Sequence, residues 1–104
     1  MNRIFVVSYG KGKAWIEGKS IFEQPLDKHL AYMRDLNARG ILVLGGPFTD
    51  DLGGLIVVRA QTQEDADAIW ANDPAVQAGV MVAEAHPWML MAGANLLAPE
   101  TASS

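Results

Sequence analysis

The residue with the clearest chemical potential in this sequence is a histidine in the first predicted helix. His29 lies at helical spacing from Leu26, Leu30, Met33 and Leu36. At about 100° per residue these positions share one face of a helix, so the imidazole is expected to point at the core, where it needs a polar partner. A carboxylate that accepts from one ring nitrogen leaves the other free to exchange a proton near neutral pH. The spacing predicts a general acid or base at position 29.

Two acidic segments could supply that carboxylate, residues 49–51 (TDD) and residues 72–74 (NDP). Asp73 is the first choice, because it continues by helical spacing the apolar stripe of the second predicted helix and so faces inward. Asp50 is the second choice, and the sequence leaves that alternative open. Each also has an ordinary structural explanation, since aspartate is common at helix ends before proline and in turns beside glycine. A histidine on an apolar face is likewise often purely structural.

The elements that must position these residues follow from apolar runs and their boundaries. The patterns predict strands at residues 3–9, 41–44, 55–58 and 80–86, and helices at residues 25–39 and from Thr62 to just before Pro74. Residues 45–47 (GGP) are expected to close the second strand, since proline cannot donate to a ladder. The order βαββαβ indicates an α+β, ferredoxin-like fold with a four-stranded antiparallel sheet. That topology brings His29 and both acidic segments to one rim.

Apolar and small residues around this rim could form a pocket for a small ligand. Residues 10–24 mix glycine, lysine and serine with large apolar side chains, which indicates an ordered loop that could act as a lid. Amides of the hairpin glycines and of the first helix could hold a developing oxyanion, which suits proton abstraction, isomerisation or elimination on a small aromatic or carbonyl compound. The candidate pocket residues are Ser8, Tyr9, Trp15, Phe22, Gly46, Pro47 and Phe48.

The predicted strands are apolar at consecutive positions instead of alternating, so both faces of the sheet are expected to need burial. Two helices can cover only one face. We expect the other face to pack against a second copy, giving a homodimer in the form of a two-sheet α+β barrel. At roughly 25 cal/mol per Å² of apolar area, leaving such a face in water would cost a small domain several kcal/mol.

Composition and charge narrow the classes of protein and of binding partner that fit this sequence. The 104 residues, 50% of them hydrophobic, predict one domain at residues 1–97 with a frayed tail at residues 98–104. A net charge of −4 with scattered basic residues gives no footprint for nucleic acid or an anionic membrane. Without cysteine, a secretory signal or paired histidine spacings, a cytoplasmic protein with no metal site is expected. No glycine-rich phosphate loop is present, so no nucleotide or other cofactor is expected.

Several stretches of the chain resemble the YCII-related (YciI-like) proteins, over about residues 2 to 91. They are His29-Leu30, residues 44–47 (LGGP) with Asp50 and residues 53–54 (GG) after them, residues 72–74 (NDP) followed by Val76 and residues 78–80 (AGV), and residues 87–88 (PW). The resemblance implies a dimeric α+β barrel of ferredoxin-like protomers with a His-Asp pair in a cleft. Few members have a known activity, and one is a dehydrochlorinase acting on a chlorinated hydroquinone. The loop carrying Trp15 and Phe22 departs from the family pattern, which leaves the substrate open.

Two function classes follow from these observations. The first is a cofactor-free enzyme of unknown substrate that uses His29 with Asp73 or Asp50 for elimination, isomerisation or dehydrochlorinase-like chemistry on a small aromatic or carbonyl compound. The second is a non-catalytic dimeric module that binds a small ligand or supports a partner. The first predicts that His29→Ala abolishes turnover with the fold intact, and the second predicts an effect on stability alone.

Overall fold

The computed structural model describes residues 3–93. Its elements in chain order are β1 (Arg3–Lys11), a 3-10 turn (Ile21–Glu23), α1 (Asp27–Ala38), β2 (Leu42–Pro47), β3 (Gly54–Ala60), α2 (Gln63–Ala71), α3 (Pro74–Gln77) and β4 (Met81–Pro87). The sheet order is β2-β3-β1-β4, and every neighbouring pair is antiparallel. The predicted α+β, ferredoxin-like fold is confirmed. The end of the predicted domain at residue 97 and the predicted tail at residues 98–104 lie outside the described residues.

The edge strands of the sheet end in proline. β2 ends at Pro47, as predicted for a proline, but Gly46 and Pro47 still pair with Leu55 and Gly54, so the strand extends beyond the predicted end at residue 44. Proline is tolerated there because β2 lies at an edge, where one side of the strand carries no ladder bonds. The opposite edge strand, β4, also ends in a proline, Pro87.

Local capping explains where the helices begin and end. α1 stops before Gly40, whose φ of 75° is the left-handed conformation that glycine accepts at helix ends. α2 begins after Thr62, whose side chain accepts a hydrogen bond from the backbone N–H of Asp65 at 3.0 Å. The one-turn helix α3 was not predicted, and it begins with Asp73 as its cap and Pro74 as its first residue. The hydrogen bond by which Asp73 caps α3 directs its side chain into the interior.

One face of the sheet carries the core. Burial alternates along β1, as expected for a strand with a single covered face. The buried hydrophobic residues of that face on β1 and β3 are Phe5, Val7, Tyr9, Ile56, Val58 and Ala60. The opposite face is only partly covered within one chain, with Val82 57% and Leu44 49% exposed. No helix within residues 3–93 is long and apolar enough to cross a membrane.

The segment between β1 and α1 is ordered by the side chain of Gln24, which is 7% exposed. Its Oε1 accepts from the N–H of Ile16 at 2.8 Å, and its Nε2 donates to the carbonyls of Ile16 at 3.0 Å and Lys19 at 3.1 Å. The N–H of Ile21 donates to Asp51 Oδ1 at 3.1 Å, which ties this segment to the β2–β3 hairpin. Asp51 has a φ of 63°, a left-handed conformation that aspartate tolerates better than most residues.

Candidate functional site

The site is built around Asp73, whose side chain is fully buried at the junction of α2 and α3. Its Oδ1 accepts from the N–H of Ala75 at 2.9 Å, which is the cap of α3. Its Oδ2 accepts from the hydroxyl of Tyr9 at 2.9 Å and lies 2.7 Å from Nδ1 of His29. The three groups come from β1, α1 and the α2–α3 junction. One carboxylate therefore joins three chain segments.

His29 is the third residue of α1, with 14% of its side chain exposed. The ring of Tyr9 meets the imidazole edge to face, with centroids 5.6 Å apart and planes at 75°. Because a carboxylate can only accept hydrogen bonds, Nδ1 is the donor in the contact between His29 and the Asp73 carboxylate. Nε2 is then the ring nitrogen with a lone pair, and no residue within 3–93 forms a hydrogen bond with it. This is the arrangement of a general base oriented by a carboxylate.

Both tyrosines near Asp73 hold their protons more tightly than usual. Burial raises the pKa of Tyr9, and the negative charge of Asp73 and the hydrogen bond to it raise it further. Burial also raises the pKa of Tyr32, with a smaller contribution from Asp73. The hydroxyl of Tyr32 donates to the carbonyl of Ile69 at 2.7 Å instead of to the carboxylate. Tyr9 is therefore a lasting donor to Asp73 across the neutral pH range.

A cavity of about 420 Å³ opens beside His29, within the range of roughly 300–1,000 Å³ that is usual for small-molecule sites. It is lined by Tyr9, Ile21, Phe22, Gln24, Leu26, Asp27, His29, Leu30, Met33, Leu42, Gly45, Gly46, Pro47, Gly54, Leu55, Ile56 and Met81. Most of these residues are apolar, and neither lysine nor arginine is among them. The wall suits a small, largely apolar ligand that presents a polar group to the histidine.

Of the predicted pocket residues, four line this cavity, namely Tyr9, Phe22, Gly46 and Pro47. Phe22 is 84% exposed and lies at its mouth.

Ser8, Trp15 and Phe48 lie outside the cavity wall. Ser8 points to the other face of the sheet, because side chains alternate along a strand and its neighbour Tyr9 is in the core. Trp15 is 5% exposed and packs in the core, where its Nε1 has no partner among the described residues. Phe48 follows β2 in the hairpin, at 40% exposure.

The structure brings His29 to Asp73 and leaves Asp50 apart from both. The Asp50 carboxylate accepts from the N–H of Leu52 at 3.0 Å within its own turn. Gly45 and Gly46 belong to the paired part of β2, so they contribute to the cavity as sheet residues rather than as a free turn. Within residues 3–93, no three histidine, aspartate or glutamate side chains are grouped as metal ligands.

The sequence did not single out several residues that shape the site. Gln24 lines the cavity and orders the preceding segment, but a lone glutamine before Pro25 carries no pattern that would mark it. The Asp51 carboxylate accepts a hydrogen bond from the N–H of Ile21 in the 3-10 turn. From the sequence, its neighbour Asp50 had been chosen instead, as a candidate partner of His29. Leu26 and Met33 also line the cavity. The sequence placed both on the inward face of α1 by their helical spacing, and this spacing was the signal that could have assigned them to the cavity wall.

Comparison with known proteins gives a family and a fold. A model of the YCII-related domain matches residues 6–89. Among solved structures, the chain is similar to the 5-chloro-2-hydroxyhydroquinone dehydrochlorinase TftG of Burkholderia phenoliruptrix AC1100, in complex with 2,5-dihydroxybenzoquinone. The two share 25% sequence identity and a TM-score of 0.62, over 83% of this chain and 93% of that one. No curated protein sequence matches the chain.

Proposed function

The chain belongs to the family of YCII-related domains, and we propose that it is an enzyme acting on a small molecule, with His29 as general acid or base and Asp73 as the residue that orients it. The observation that carries this proposal is the 2.7 Å contact between His29 Nδ1 and Asp73 Oδ2 beside an apolar cavity. The likeness to a dehydrochlorinase supports the same class of reaction.

The proposed chemistry uses the free nitrogen of His29. Nε2 takes a proton from a hydroxyl group or a carbon atom of the substrate, and Asp73 stabilises the imidazolium that forms. In an elimination, the leaving group departs with the electron pair of its bond to carbon. In an isomerisation, Nε2 returns the proton at a different atom. Neither step transfers electrons to or from an external partner.

The cavity wall supports a particular kind of substrate. No cationic side chain is available there to pair with a carboxylate or phosphate group, and Asp27 adds a negative charge. We therefore propose a small aromatic or carbonyl compound without a carboxylate or phosphate group. The similar dehydrochlorinase was solved with 2,5-dihydroxybenzoquinone, a cyclic carbonyl compound that carries neither group, so chlorinated hydroxyhydroquinones are the first substrates to test.

The test compares turnover in the wild type and in His29→Ala, with His86→Ala as the matched control. His86 is the second histidine of the chain, and its side chain is 62% exposed on β4. Chloride release and absorbance changes would be followed over a panel of chlorinated hydroxyhydroquinones. We expect His29→Ala to lose a factor of about 10²–10⁴ in kcat and His86→Ala to match the wild type. Equal rates in all three proteins would refute the proposed role of His29.

The alternative is a module that binds a small ligand without transforming it. The same cavity supports this function, since an apolar pocket with few polar groups is typical of binding sites in general. It predicts that panel compounds raise the melting temperature of the wild type while remaining unchanged after long incubation.

We also propose that the open face of the sheet packs against a second copy of the chain. That face carries exposed Leu44, which pairs with the buried Val57, and exposed Val82 on the edge strand β4. A charge placed at Val82 should separate the copies, because an unpaired ammonium group would be buried in the interface. Sedimentation should find a dimer for the wild type and for Ala31→Lys, a control on the exposed side of α1, and a monomer for Val82→Lys. A monomeric wild type at micromolar concentration would contradict the proposal.

A further inference from the structure

We propose that Tyr9 is a positioning residue that sets the pH range over which the His29–Asp73 pair is in its basic form, acting through its hydrogen bond to Asp73. This inference rests on the proposed function, because it concerns the residue that tunes the base. It also gives Tyr9 a role different from the substrate contact that its place in the sequence predicted.

The geometry separates the hydroxyl of Tyr9 from the ligand. The side chain is 5% exposed, and its hydroxyl donates to Asp73 Oδ2 at 2.9 Å. That is the same oxygen that accepts from His29 Nδ1 at 2.7 Å. The tyrosine ring contributes to the cavity wall, but its polar atom is already used inside the protein. Tyr9 therefore acts on His29 through the shared oxygen.

Sharing one oxygen has a predictable effect on the pair. A hydrogen bond donated to an anion favours the form that carries the negative charge. The Asp73 carboxylate is the partner of His29 before and after Nε2 takes up a proton, so the donation from Tyr9 acts through the charge on the shared oxygen. It draws negative charge from Oδ2, which weakens the attraction of Oδ2 for an imidazolium and shifts proton uptake by the pair to lower pH.

The other ionisable groups near the pair are few. Tyr32 lies one turn farther along α1 and bonds a backbone carbonyl. Asp27 and Lys28 stand at the start of α1, and Gln24, which lines the cavity from the preceding segment, is neutral. Tyr9 is the group from β1 that contacts the carboxylate. Burial and the charge of Asp73 raise its pKa, so it stays a donor throughout the range in which the pair titrates.

The experiment titrates His29 by NMR of the imidazole nitrogens, which needs no substrate. The chain has two histidines, so His86→Ala identifies the signal of His29. Tyr9→Phe removes the hydroxyl and keeps the ring. The matched control is Tyr32→Phe, which removes a hydroxyl bonded to Ile69 in the same region. We expect the midpoint of the pair to rise by about one pH unit in Tyr9→Phe, the size expected for a lost hydrogen bond to a charged group, and to stay at the wild-type value in Tyr32→Phe.

A second measurement should shift the NMR midpoint in the opposite direction, and it does not depend on the stability of Tyr9→Phe. In the Tyr32→Phe background Tyr9 is the sole tyrosine, and replacing it biosynthetically with a fluorinated tyrosine makes the phenol a stronger donor. The midpoint should then move to lower pH. Midpoints that coincide in wild type, Tyr9→Phe and the fluorinated protein would overturn the proposal.

The rate profile links the inference to the proposed function. If His29 is the base, the acidic limb of kcat/KM against pH, which reports the free enzyme, should move upward by the same amount in Tyr9→Phe. A shifted NMR midpoint with an unshifted rate profile would support the role of Tyr9 in the pair and refute His29 as the base. An unshifted NMR midpoint would refute the role of Tyr9 whatever the activity.

Discussion

Replacing Asp73 with alanine should destabilise the fold far more than replacing an exposed carboxylate. Three hydrogen bonds end on its buried side chain. Loss of the α3 cap costs about 1 kcal/mol, and leaving the Tyr9 hydroxyl buried without an acceptor costs about 1–3 kcal/mol. The bond to His29 adds about 1 kcal/mol, because water can reach that partly exposed ring. We expect a loss of about 3–5 kcal/mol from a free energy of unfolding that is typically about 5–15 kcal/mol.

Asp73→Asn separates these contributions. Its amide oxygen can still accept from the N–H of Ala75, so the cap is kept, while the charged partner of Tyr9 and His29 is lost. A loss of about 1–3 kcal/mol is expected. The matched control is Asp35→Asn, which breaks an exposed ion pair with Arg39 and should cost less than about 0.5 kcal/mol.

Urea unfolding followed by tryptophan fluorescence measures all three variants. The order of losses should be Asp73→Ala, then Asp73→Asn, then Asp35→Asn, with a melting temperature about 4–8 °C lower for each kcal/mol in a domain of this size. If Asp73→Ala lies within about 0.5 kcal/mol of Asp35→Asn, the buried carboxylate does not hold the three segments together.

The remaining predictions concern the tyrosines, the ordered segment and the hairpin. The folded-state pKa values of Tyr9 and Tyr32 lie above the unfolded value near 10. The stability that these tyrosines contribute is therefore present below about pH 10 and is lost as the pH rises further. The free energy of unfolding should fall by up to about 1.4 kcal/mol per pH unit for each tyrosine. Urea midpoints between about pH 9 and 11 should show this fall, with a smaller slope in Tyr9→Phe; an unchanged slope would contradict the assignment. Gln24→Leu removes the hydrogen bonds that order residues 16–24 and should speed proteolytic cleavage there about tenfold, whereas Gln77→Leu, which loses one exposed bond, should be cut at the wild-type rate. At Asp51, asparagine should be nearly neutral and valine should cost at least about 1–2 kcal/mol, because φ is 63° there and valine also loses the bond from the Ile21 N–H; equal stability of the two variants would argue against both features.

The inward direction of His29 and the choice of Asp73 over Asp50 could be predicted because both depend on helical periodicity. A repeat of 3.6 residues fixes which side chains of an element face its neighbours, without knowledge of what those neighbours are. The handedness of crossover connections then placed the elements in a sheet. Together these two rules brought His29 and Asp73 to the same rim.

What could not be predicted depends on the finished sheet. Gly45 and Gly46 were assigned to a turn because glycine before proline is typical of turns, but they pair with Ile56 and Leu55 of the neighbouring strand. Trp15 was assigned to the pocket because its segment was taken as a loop from residue 10, but β1 continues to Lys11 and the tryptophan turns into the core. The bond between Tyr9 and Asp73 spans 64 positions, and no local pattern marks a contact of that kind.

The prolines at the two outer strands have a consequence for solubility at high concentration. A strand arriving from another molecule needs a full row of amide hydrogens to extend a sheet, and at Pro47 and Pro87 that row is interrupted. Side-by-side growth into fibrils is therefore discouraged at both borders. In the dimer that we propose, two copies instead stack face to face, an arrangement that closes after two molecules and cannot propagate.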